Sequence, residues 1–197
     1  MQVIGLTGNI GCGKSTVSSL LSRLPQVLVV DSDSLAKTIL SDQRHKNSLQ
    51  KILGEEVFES DTINFKRVAQ IIFHNKLTRV KLEKFIHPLV WTSIDKIVKE
   101  TPSNTLVIVE SAIIYETKME SYFGGIIVVT CPTDVQFSRL TTFRGMSSEQ
   151  IKARLSQQIS SAEKVVRANY VIDTDCTLDE LKQRVFNLYK QIKGGQS

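Results

Sequence analysis

The segment Gly8–Ser15, GNIGCGKS, combines three glycines with a lysine and a hydroxyl group. It matches the pattern G-x-x-x-x-G-K-[ST] at every fixed position. Glycines let backbone N–H groups approach phosphate oxygens without an intervening Cβ atom, and the start of a following helix adds positive potential. The spacing therefore predicts a site for the phosphate tail of a nucleoside triphosphate, with ATP as the expected nucleotide. A glycine-rich turn without a ligand is the alternative.

Two side chains of this segment have expected roles in phosphoryl transfer. Lys14 should reach the β- and γ-phosphates, and the Ser15 hydroxyl should coordinate Mg²⁺. Cys12 has two interpretations, because a thiol at a helix start can be reactive, or can simply be small enough to fit. The residues predicted to bind nucleotide are Asn9, Ile10, Gly11, Cys12, Gly13, Lys14, Ser15 and Thr16.

Acidic residues follow two apolar runs that have the composition of strands. VLVVDSD places Asp31 and Asp33 after one run, and LVIVE places Glu110 after another. Ligands of open α/β sheets bind beyond the carboxyl ends of the strands, so these carboxylates are expected near the phosphates. We expect Asp33, in a loop just beyond the strand end, to accept the proton of the attacking hydroxyl, and Asp31 and Glu110 to support Mg²⁺ through water. The alternative for each is an acid that caps the next helix.

Three arginines, Arg139, Arg144 and Arg154, lie in a later helical segment. Cations can stabilise the charge that spreads over a transferred phosphoryl group, and a mobile helical lid can bring them to it. A solvated basic helix face is the alternative for these residues.

Five short apolar runs must position these side chains. They span residues 2–6, 26–30, 105–109, 125–130 and 169–172, and their continuous apolar character is typical of buried parallel strands. Helical patterns separate them, including residues 14–24 before Pro25 and residues 177–192. SSEQ at 147–150 predicts a capping box, after which Ile151, Leu155 and Ile159 recur every four residues. The alternation predicts a doubly wound α/β fold.

Residues 42–100 interrupt this alternation. They contain no convincing buried strand and instead show several helical patterns, with Pro88 between the last two. A helical insertion between the second and third strands is therefore expected.

Composition limits the function classes. A chain of 197 residues with 41% hydrophobic residues can bury one substantial core. The net charge of +5 is spread along the chain, which argues against a nucleic-acid face. The three cysteines form no CxxC pair or zinc spacing, which favours a reducing compartment. Because neither a membrane span nor a signal peptide is recognisable, we expect a cytoplasmic protein without a membrane partner.

Over essentially its whole length the chain resembles the dephospho-CoA kinases, the P-loop kinases that complete coenzyme A synthesis. IGLTGNIGCGKSTV is similar to the opening loop of that family, and VVDSDSLAK to its D-x-D segment. LEKFIHPLV resembles the L-E-x-x-x-H-P signature, which contains His87. ARLSQQ matches the R-x-x-x-Q of the lid, with Arg154 and Gln158, and Lys164 stands at the expected lysine. ESAIIYE keeps acids at Glu110 and Glu116.

This resemblance implies a fold and three parts. The fold is a P-loop NTPase-type, doubly wound five-stranded parallel sheet with a helical insertion and a helical lid. The nucleotide-binding core would comprise residues 1–42, 100–135 and 166–197, the acceptor (CoA)-binding domain residues 43–99, and the lid residues 136–165.

The resemblance also implies a reaction, in which the γ-phosphoryl group of ATP passes to the ribose 3′-hydroxyl of dephospho-CoA with Mg²⁺ as cofactor. ATP and dephospho-CoA would be the partners, and the oligomeric state is left open. His87 could contact the acceptor, or could be a structural residue that joins two helices. The implied site residues are catalytic Asp33, Lys14 and Arg139; acceptor-binding Thr7, Asp33 and His87; lid Arg139, Arg144, Arg154 and Gln158; and metal-binding Ser15, with Asp31 through water.

Several positions depart from the family pattern. Phe143 stands where a lid arginine is common, and Arg144 follows one residue later, which on a helix turns a side chain by about 100°. Asn169 and Thr174 replace an Asp and an Asn near the adenine pocket, and Phe65 occupies a position that is usually basic.

Other nucleotide-dependent functions require features that the sequence lacks or replaces. A different P-loop kinase, acting on a nucleotide or small metabolite, would need another acceptor domain in place of LEKFIHP. A GTP-dependent switch would need N-K-x-D and D-x-x-G motifs, but NKLT at residue 75 lacks the aspartate. A nucleic-acid-dependent ATPase would need a contiguous basic face.

Overall fold

The structure is a computed structural model that describes residues 2–194. The chain forms two compact units. One unit runs to Val30 and resumes at Thr101, and the other is Asp31–Glu100.

The strands lie close to the apolar runs that predict them. In chain order they are β1 (Gln2–Thr7), β2 (Val27–Asp31), β3 (Phe58–Glu59), β4 (Thr62–Ile63), β5 (Leu106–Glu110), β6 (Gly125–Thr130) and β7 (Tyr170–Asp173). The main sheet has the order β2-β5-β1-β6-β7. β1 pairs in parallel with β5 and β6, and β6 pairs in parallel with β7. The predicted five-stranded sheet is confirmed, and each boundary lies within one residue of its predicted run.

Helices separate the successive strands of this sheet, except between β5 and β6, where the described residues form only a 3₁₀ turn. They are α1 (Lys14–Leu21), α2 (Ser32–Ser41), α3 (Lys46–Leu53), α4 (Phe65–His74), α5 (Lys76–Glu100), α6 (Thr133–Arg144), α7 (Ser148–Leu155), α8 (Ser161–Val166) and α9 (Leu178–Gly194). Single 3₁₀ turns occur at Gln43–His45, Glu55–Val57 and Glu120–Tyr122. None of these helices is long and apolar enough to cross a membrane.

Two helices end earlier than their apolar patterns predict. α1 stops at Leu21 rather than at residue 24, and the next amides make i→i−3 bonds, such as Leu24 N–H to Leu21 C=O. Pro25 disfavours the helical conformation for the residue before it, which explains this tightening. α7 stops at Leu155, so Ile159 lies in the turn that follows rather than on the helix.

The core of the sheet unit is formed by the central strands and by α1 and α9. Parallel strands covered on both faces bury nearly every side chain, as Leu106–Val109 do in β5. The cluster contains Ile4, Leu6, Cys12, Val17, Leu21, Leu106, Ile108, Ile127, Val129, Ile172, Leu181, Val185, Leu188 and Ile192. Because β1 and the N-terminal part of α1 both anchor in it, the loop between them starts and ends on rigid elements.

The second unit consists mainly of α2 to α5, as the pattern of residues 42–100 predicts. Its core contains Leu49, Leu53, Val57, Ile63, Val68 and Leu82. The unit also contains the antiparallel pair β3–β4, joined through Ser60 and Asp61, whose φ angles are +46° and +71°. The sequence pattern missed this hairpin because two residues per strand are too few to show alternation.

Pro88 does not separate two helices, so this expectation from the sequence is wrong. α5 continues through Pro88 as one helix of 25 residues. Proline removes a single N–H donor from the helix, whereas a buried stripe repeats every four residues on both sides of it. The stripe comprises Leu82, Ile86, Val90, Ile94 and Val98.

Candidate active site

The loop between β1 and α1 has the backbone conformation that its glycines permit. Gly13 is the N-cap of α1, with a φ angle of +86°, and neither a side-chain cap nor an acidic residue is present in the first turn of this helix. A Cβ atom on Gly8 would lie 2.3 Å from the backbone oxygen of Val129. Larger residues at these two positions would therefore strain or displace the loop, and the start of α1 keeps its positive potential for an anion.

The Lys14 ammonium group lies across this loop. Its Nζ donates to the backbone oxygens of Gly8 at 2.8 Å and of Asn9 at 3.3 Å. Carbonyl oxygens are weaker partners for a cation than phosphate oxygens are, so this arrangement can exchange for charge-assisted bonds to an anion.

The Cys12 side chain points into the protein and is 1% exposed. Gln136 Nε2 donates to its sulfur at 3.6 Å. A hydrogen bond with the Cys131 side chain lowers the pKa of Cys12 to about 7, although burial opposes this, and the same hydrogen bond raises the pKa of Cys131. Both interpretations of Cys12 remain open, because the thiol fills a tight space and also has a lowered pKa.

Arg139 is bound to the segment that follows β7. Its Nη1 and Nη2 donate to Thr174 Oγ1 and to the Thr174 backbone oxygen, each at 2.8 Å. Thr174 Oγ1 in turn donates to the Cys12 backbone oxygen at 2.9 Å. The structure therefore links Arg139 to the loop through Thr174, and its predicted contact with a transferred phosphoryl group stays a prediction.

Gln136 is a loop contact that the sequence did not reveal. Its Nε2 donates to the Ile10 backbone oxygen at 2.5 Å. Gln136 is 7% exposed and lies four residues before Leu140, which is 1% exposed. The spacing of four residues places Gln136 on the same helix face as the apolar Leu140, and this was the sequence signal that could have indicated a buried, hydrogen-bonded glutamine.

The turn between α7 and α8 holds the other side of the loop. Asn9 Nδ2 donates to the Ile159 backbone oxygen at 3.2 Å, and the Ile10 N–H donates to Gln158 Oε1 at 3.1 Å. Gln158 therefore contacts the loop, and its assignment to a lid stays a prediction. Since the Ile10 amide already has a partner, a phosphate contact through this amide would require the Gln158 bond to break.

Lys164 and Glu116 form a buried ion pair beside this turn. Lys164 is 0% exposed, and its Nζ lies 2.9 Å from Glu116 Oε1 and donates to the Ala112 backbone oxygen at 2.9 Å. Glu116 Oε1 also accepts from the Ile159 N–H at 2.9 Å. A charge removed from water needs such partners, since a buried unpaired charge costs several kcal/mol.

Two buried oxygens at the start of the loop make no hydrogen bond to any described residue. They are Thr7 Oγ1, in a residue that is 0% exposed, and Asn9 Oδ1, in a residue that is 6% exposed. Buried polar atoms normally have partners, so these atoms mark a place where a ligand or water can supply them. The acceptor contact expected for Thr7 stays a prediction.

In the second unit, Asp31 and Asp33 stand at the start of α2. Asp31 caps this helix, because its Oδ1 accepts from the N–H groups of Asp33 at 2.9 Å and Ser34 at 3.3 Å. Asp33 lies in the first turn of α2 rather than in a loop, which corrects its expected placement. The Asp33 side chain is exposed, and Asp31 rather than Asp33 is the N-cap of the helix.

His87 lies within α5 and therefore does not join two helices. Burial lowers the pKa of His87, and the nearby Glu83 carboxylate opposes this shift. The imidazole is consequently neutral at pH 7, where it can donate or accept one hydrogen bond. Its contact with an acceptor stays a prediction.

The remaining lid residues face solvent. Arg144 is the last residue of α6, which ends at Gly145 with a φ angle of +59°, and Phe143 is 81% exposed. Arg154 is exposed on α7. Both arginine side chains are therefore accessible to a ligand. Their predicted contacts with one stay predictions.

A metal ion would find few protein ligands in the part of the chain that the structure describes. Among residues 2–194 no group of three or more His, Cys, Asp and Glu side chains is placed to hold a metal ion. Ser15, on the first turn of α1, is exposed and presents a hard oxygen donor of the kind that suits Mg²⁺. Such a donor fits a cation that takes most of its ligands from phosphates and water.

Comparisons with known proteins agree with the sequence resemblance. A protein-family model described as dephospho-CoA kinase matches residues 2–180. The chain is 33% identical over 194 residues to a dephospho-CoA kinase of Aquifex aeolicus (strain VF5), covering 98% of each chain.

Two solved structures cover nearly the whole chain. TT1252 from Thermus thermophilus superposes with a TM-score of 0.82 at 26% identity, covering 96% of this chain and 97% of that one. Dephospho-CoA kinase from Campylobacter jejuni gives a TM-score of 0.66 at 25% identity, covering 97% of each chain.

Proposed function

Because this chain belongs to the dephospho-CoA kinase family, we propose that the loop Gly8–Ser15 holds the triphosphate of ATP during transfer to dephospho-CoA. The family reaction passes the γ-phosphoryl group of ATP to the ribose 3′-hydroxyl of dephospho-CoA and yields coenzyme A and ADP. The observation that supports this site most directly is the Lys14 ammonium group, which lies 2.8 Å from the Gly8 backbone oxygen across an uncapped helix start.

Several residues would bind the donor. The backbone N–H groups of residues 11–15 would bind phosphate oxygens while the Ile10 N–H keeps its bond to Gln158, and Lys14 would exchange its carbonyl partners for the β- and γ-phosphates. Ser15 directly, and Asp31 through water, would hold Mg²⁺. When bound, this ion neutralises charge on the β- and γ-phosphates.

The acceptor would react through Asp33. The 3′-oxygen forms a bond to the γ-phosphorus, the bond from that phosphorus to the β–γ bridging oxygen breaks, and ADP leaves. The hydroxyl proton passes to the Asp33 carboxylate, which faces solvent and caps nothing. Residues 43–99, including His87, would bind dephospho-CoA, and Thr7 would also contact it.

Arginines of the segment 136–165 would complete the site. Arg139 would turn from Thr174 to the transferred group, and Arg144 and Arg154 are exposed on helices of the same segment. Movement of this segment as a lid would exclude water from the reacting phosphate.

We also place the enzyme in the cytoplasm. This proposal is supported by three cysteines that form no disulfide, Cys12, Cys131 and Cys176, because disulfides are rare in a reducing compartment.

A coupled ADP-release assay tests the proposed reaction. Dephospho-CoA is expected to stimulate ADP release with ATP and Mg²⁺, whereas a panel of nucleosides and other hydroxyl acceptors should not. Phosphorylation of a nucleoside at a higher kcat/KM than dephospho-CoA would contradict the proposal.

A further inference from the structure

The loop Gly8–Ser15 is connected to a buried ion pair that no predicted catalytic role explains. Glu116 lies in the segment after β5, and Lys164 lies on α8. Glu116 Oε1 forms an ion pair with Lys164 Nζ at 2.9 Å and accepts a hydrogen bond from the Ile159 N–H at 2.9 Å. One carboxylate oxygen therefore holds both α8 and the turn that precedes it.

The turn at residues 158–159 is also hydrogen-bonded to the loop. The Ile159 backbone oxygen accepts from Asn9 Nδ2 at 3.2 Å, and the neighbouring Gln158 Oε1 accepts from the Ile10 N–H at 3.1 Å. The backbone N–H and C=O groups of Ile159 thus connect the Glu116 carboxylate to the Asn9 side chain. Displacement of this turn would release two of the fixed points of the loop.

The burial and the contacts of Lys164 hold the ion pair in place. Lys164 is 0% exposed, and its second contact, the Ala112 backbone oxygen at 2.9 Å, ties it to the same segment as Glu116. A buried charge without partners costs several kcal/mol, so Lys164 is strongly held at these two oxygens, while the other Glu116 oxygen, Oε2, has no hydrogen-bond partner among the described residues. A turn fixed in this way presents Gln158 Oε1 and the Ile159 oxygen at defined positions.

We propose that Glu116 and Lys164 are positioning residues for ATP, acting through the 158–159 turn on Asn9 and Ile10 of the phosphate loop. Neither side chain contacts the nucleotide in this scheme. The inference rests on the proposed function, in which this loop holds the triphosphate. Its consequence is specific, because loss of the positioning should weaken the use of ATP and leave the use of dephospho-CoA unchanged.

Steady-state kinetics of Glu116→Gln test this scheme. Glutamine keeps the size of the side chain but removes the charge that holds Lys164. We expect KM for ATP to rise about tenfold, equivalent to about 1.4 kcal/mol, while KM for dephospho-CoA and kcat stay within about twofold. Equal rises in both KM values, or a fall in kcat alone, would overturn the proposal, since a general structural defect would not single out ATP.

Glu120→Gln is the matched control. Glu120 pairs with Arg167 in the same unit, and no contact of this pair reaches the 158–159 turn among the bonds of the described residues. This variant is expected to keep the wild-type KM for ATP. A tenfold rise in the control as well would show that any lost ion pair has the effect, and the proposal would fail.

Gln158→Leu keeps the inference testable if Glu116→Gln does not fold. It leaves the ion pair intact and removes only the acceptor of the Ile10 N–H. It should raise KM for ATP in the same way, and an unchanged KM for ATP would overturn the proposal. Where Glu116→Gln folds, adding it to Gln158→Leu should raise KM less than the two separate effects predict. Fully independent effects would overturn the proposal.

Direct ADP binding separates this inference from the proposed function. If the wild-type protein does not bind ADP in a calorimetric titration, the proposed function fails. If the wild type binds ADP and the folded Glu116→Gln and Gln158→Leu variants bind it equally well, the positioning role fails while the proposed function stands.

Discussion

Asp31 and Asp33 are two residues apart, yet the start of α2 places them in different environments. Asp31 accepts hydrogen bonds from the N–H groups of Asp33 and Ser34, so its carboxylate stabilises the helix end. Asp33 has no such capping role, and its side chain is exposed. A carboxylate that is free of a helix cap can move to meet a substrate hydroxyl, which is why we assign the proton acceptor to Asp33.

Asp33→Asn is expected to reduce kcat by a factor of about 10² to 10⁴, because the amide cannot accept the hydroxyl proton. The coupled ADP-release assay measures this loss, and ADP titration should show unchanged nucleotide binding. Asp95→Asn is the control, since it removes an exposed carboxylate of the same unit, paired with Lys99, and should keep wild-type turnover. A kcat within about threefold of wild type for Asp33→Asn would remove Asp33 as the base.

At the scale of single elements, α7 shows how local chemistry sets one helix end and tertiary contacts set the other. Ser147 and Gln150 form the predicted capping box, with each side chain bound to the other residue's backbone N–H. The apolar repeat at Ile151, Leu155 and Ile159 predicts further helix, but the Ile159 N–H binds Glu116 instead of a helical carbonyl. The Gln157 and Gln158 amides make i→i−3 bonds, and the next amide, that of Ile159, binds the partly exposed Glu116 carboxylate, so the chain continues with a tertiary contact rather than another helical turn.

Ser147→Ala should destabilise the start of α7 by about 1 kcal/mol, because it removes the acceptor of the Gln150 N–H. Amide hydrogen exchange at Gln150 should accelerate about fivefold if this amide exchanges through local opening. Ser148→Ala is the control, as it changes the adjacent exposed serine and keeps the cap. Equal exchange rates in the two variants would contradict the contribution of the capping box.

At the scale of the whole molecule, ligand binding and stability are linked. A ligand that binds only the folded protein stabilises it by about 2.7 kcal/mol at a hundredfold excess over Kd. Since the loop Gly8–Ser15 is anchored in the core through β1 and α1, phosphate binding there should raise the unfolding temperature of the sheet unit.

ADP with Mg²⁺ at a hundredfold excess over its Kd is expected to raise that unfolding temperature by roughly 5 to 10 °C. Adenosine at the same concentration lacks phosphates and should give a much smaller rise, and Lys14→Ala should lose most of the response to ADP. Scanning calorimetry measures all three. The same rise with adenosine as with ADP would place the binding energy outside the phosphate loop.

Much of the fold followed from local patterns. Continuous apolar runs predicted the five strands of the main sheet to within one residue, because strands buried on both faces leave a signal in every position. The G-x-x-x-x-G-K-[ST] spacing likewise predicted a loop between β1 and α1, since only certain residue types permit that backbone.

The sequence by itself determined the strand segments, the phosphate loop, the α7 cap and the separate motifs of the family, because each depends on residues that are close together in the chain. Only the tertiary structure decided that α5 continues through Pro88, that α7 stops before Ile159, and that Gln136 and Glu116 support the loop. These outcomes depend on packing and hydrogen bonds between residues far apart in sequence, as Glu116 and Ile159 are, and no local pattern encodes which distant partner a buried group will find.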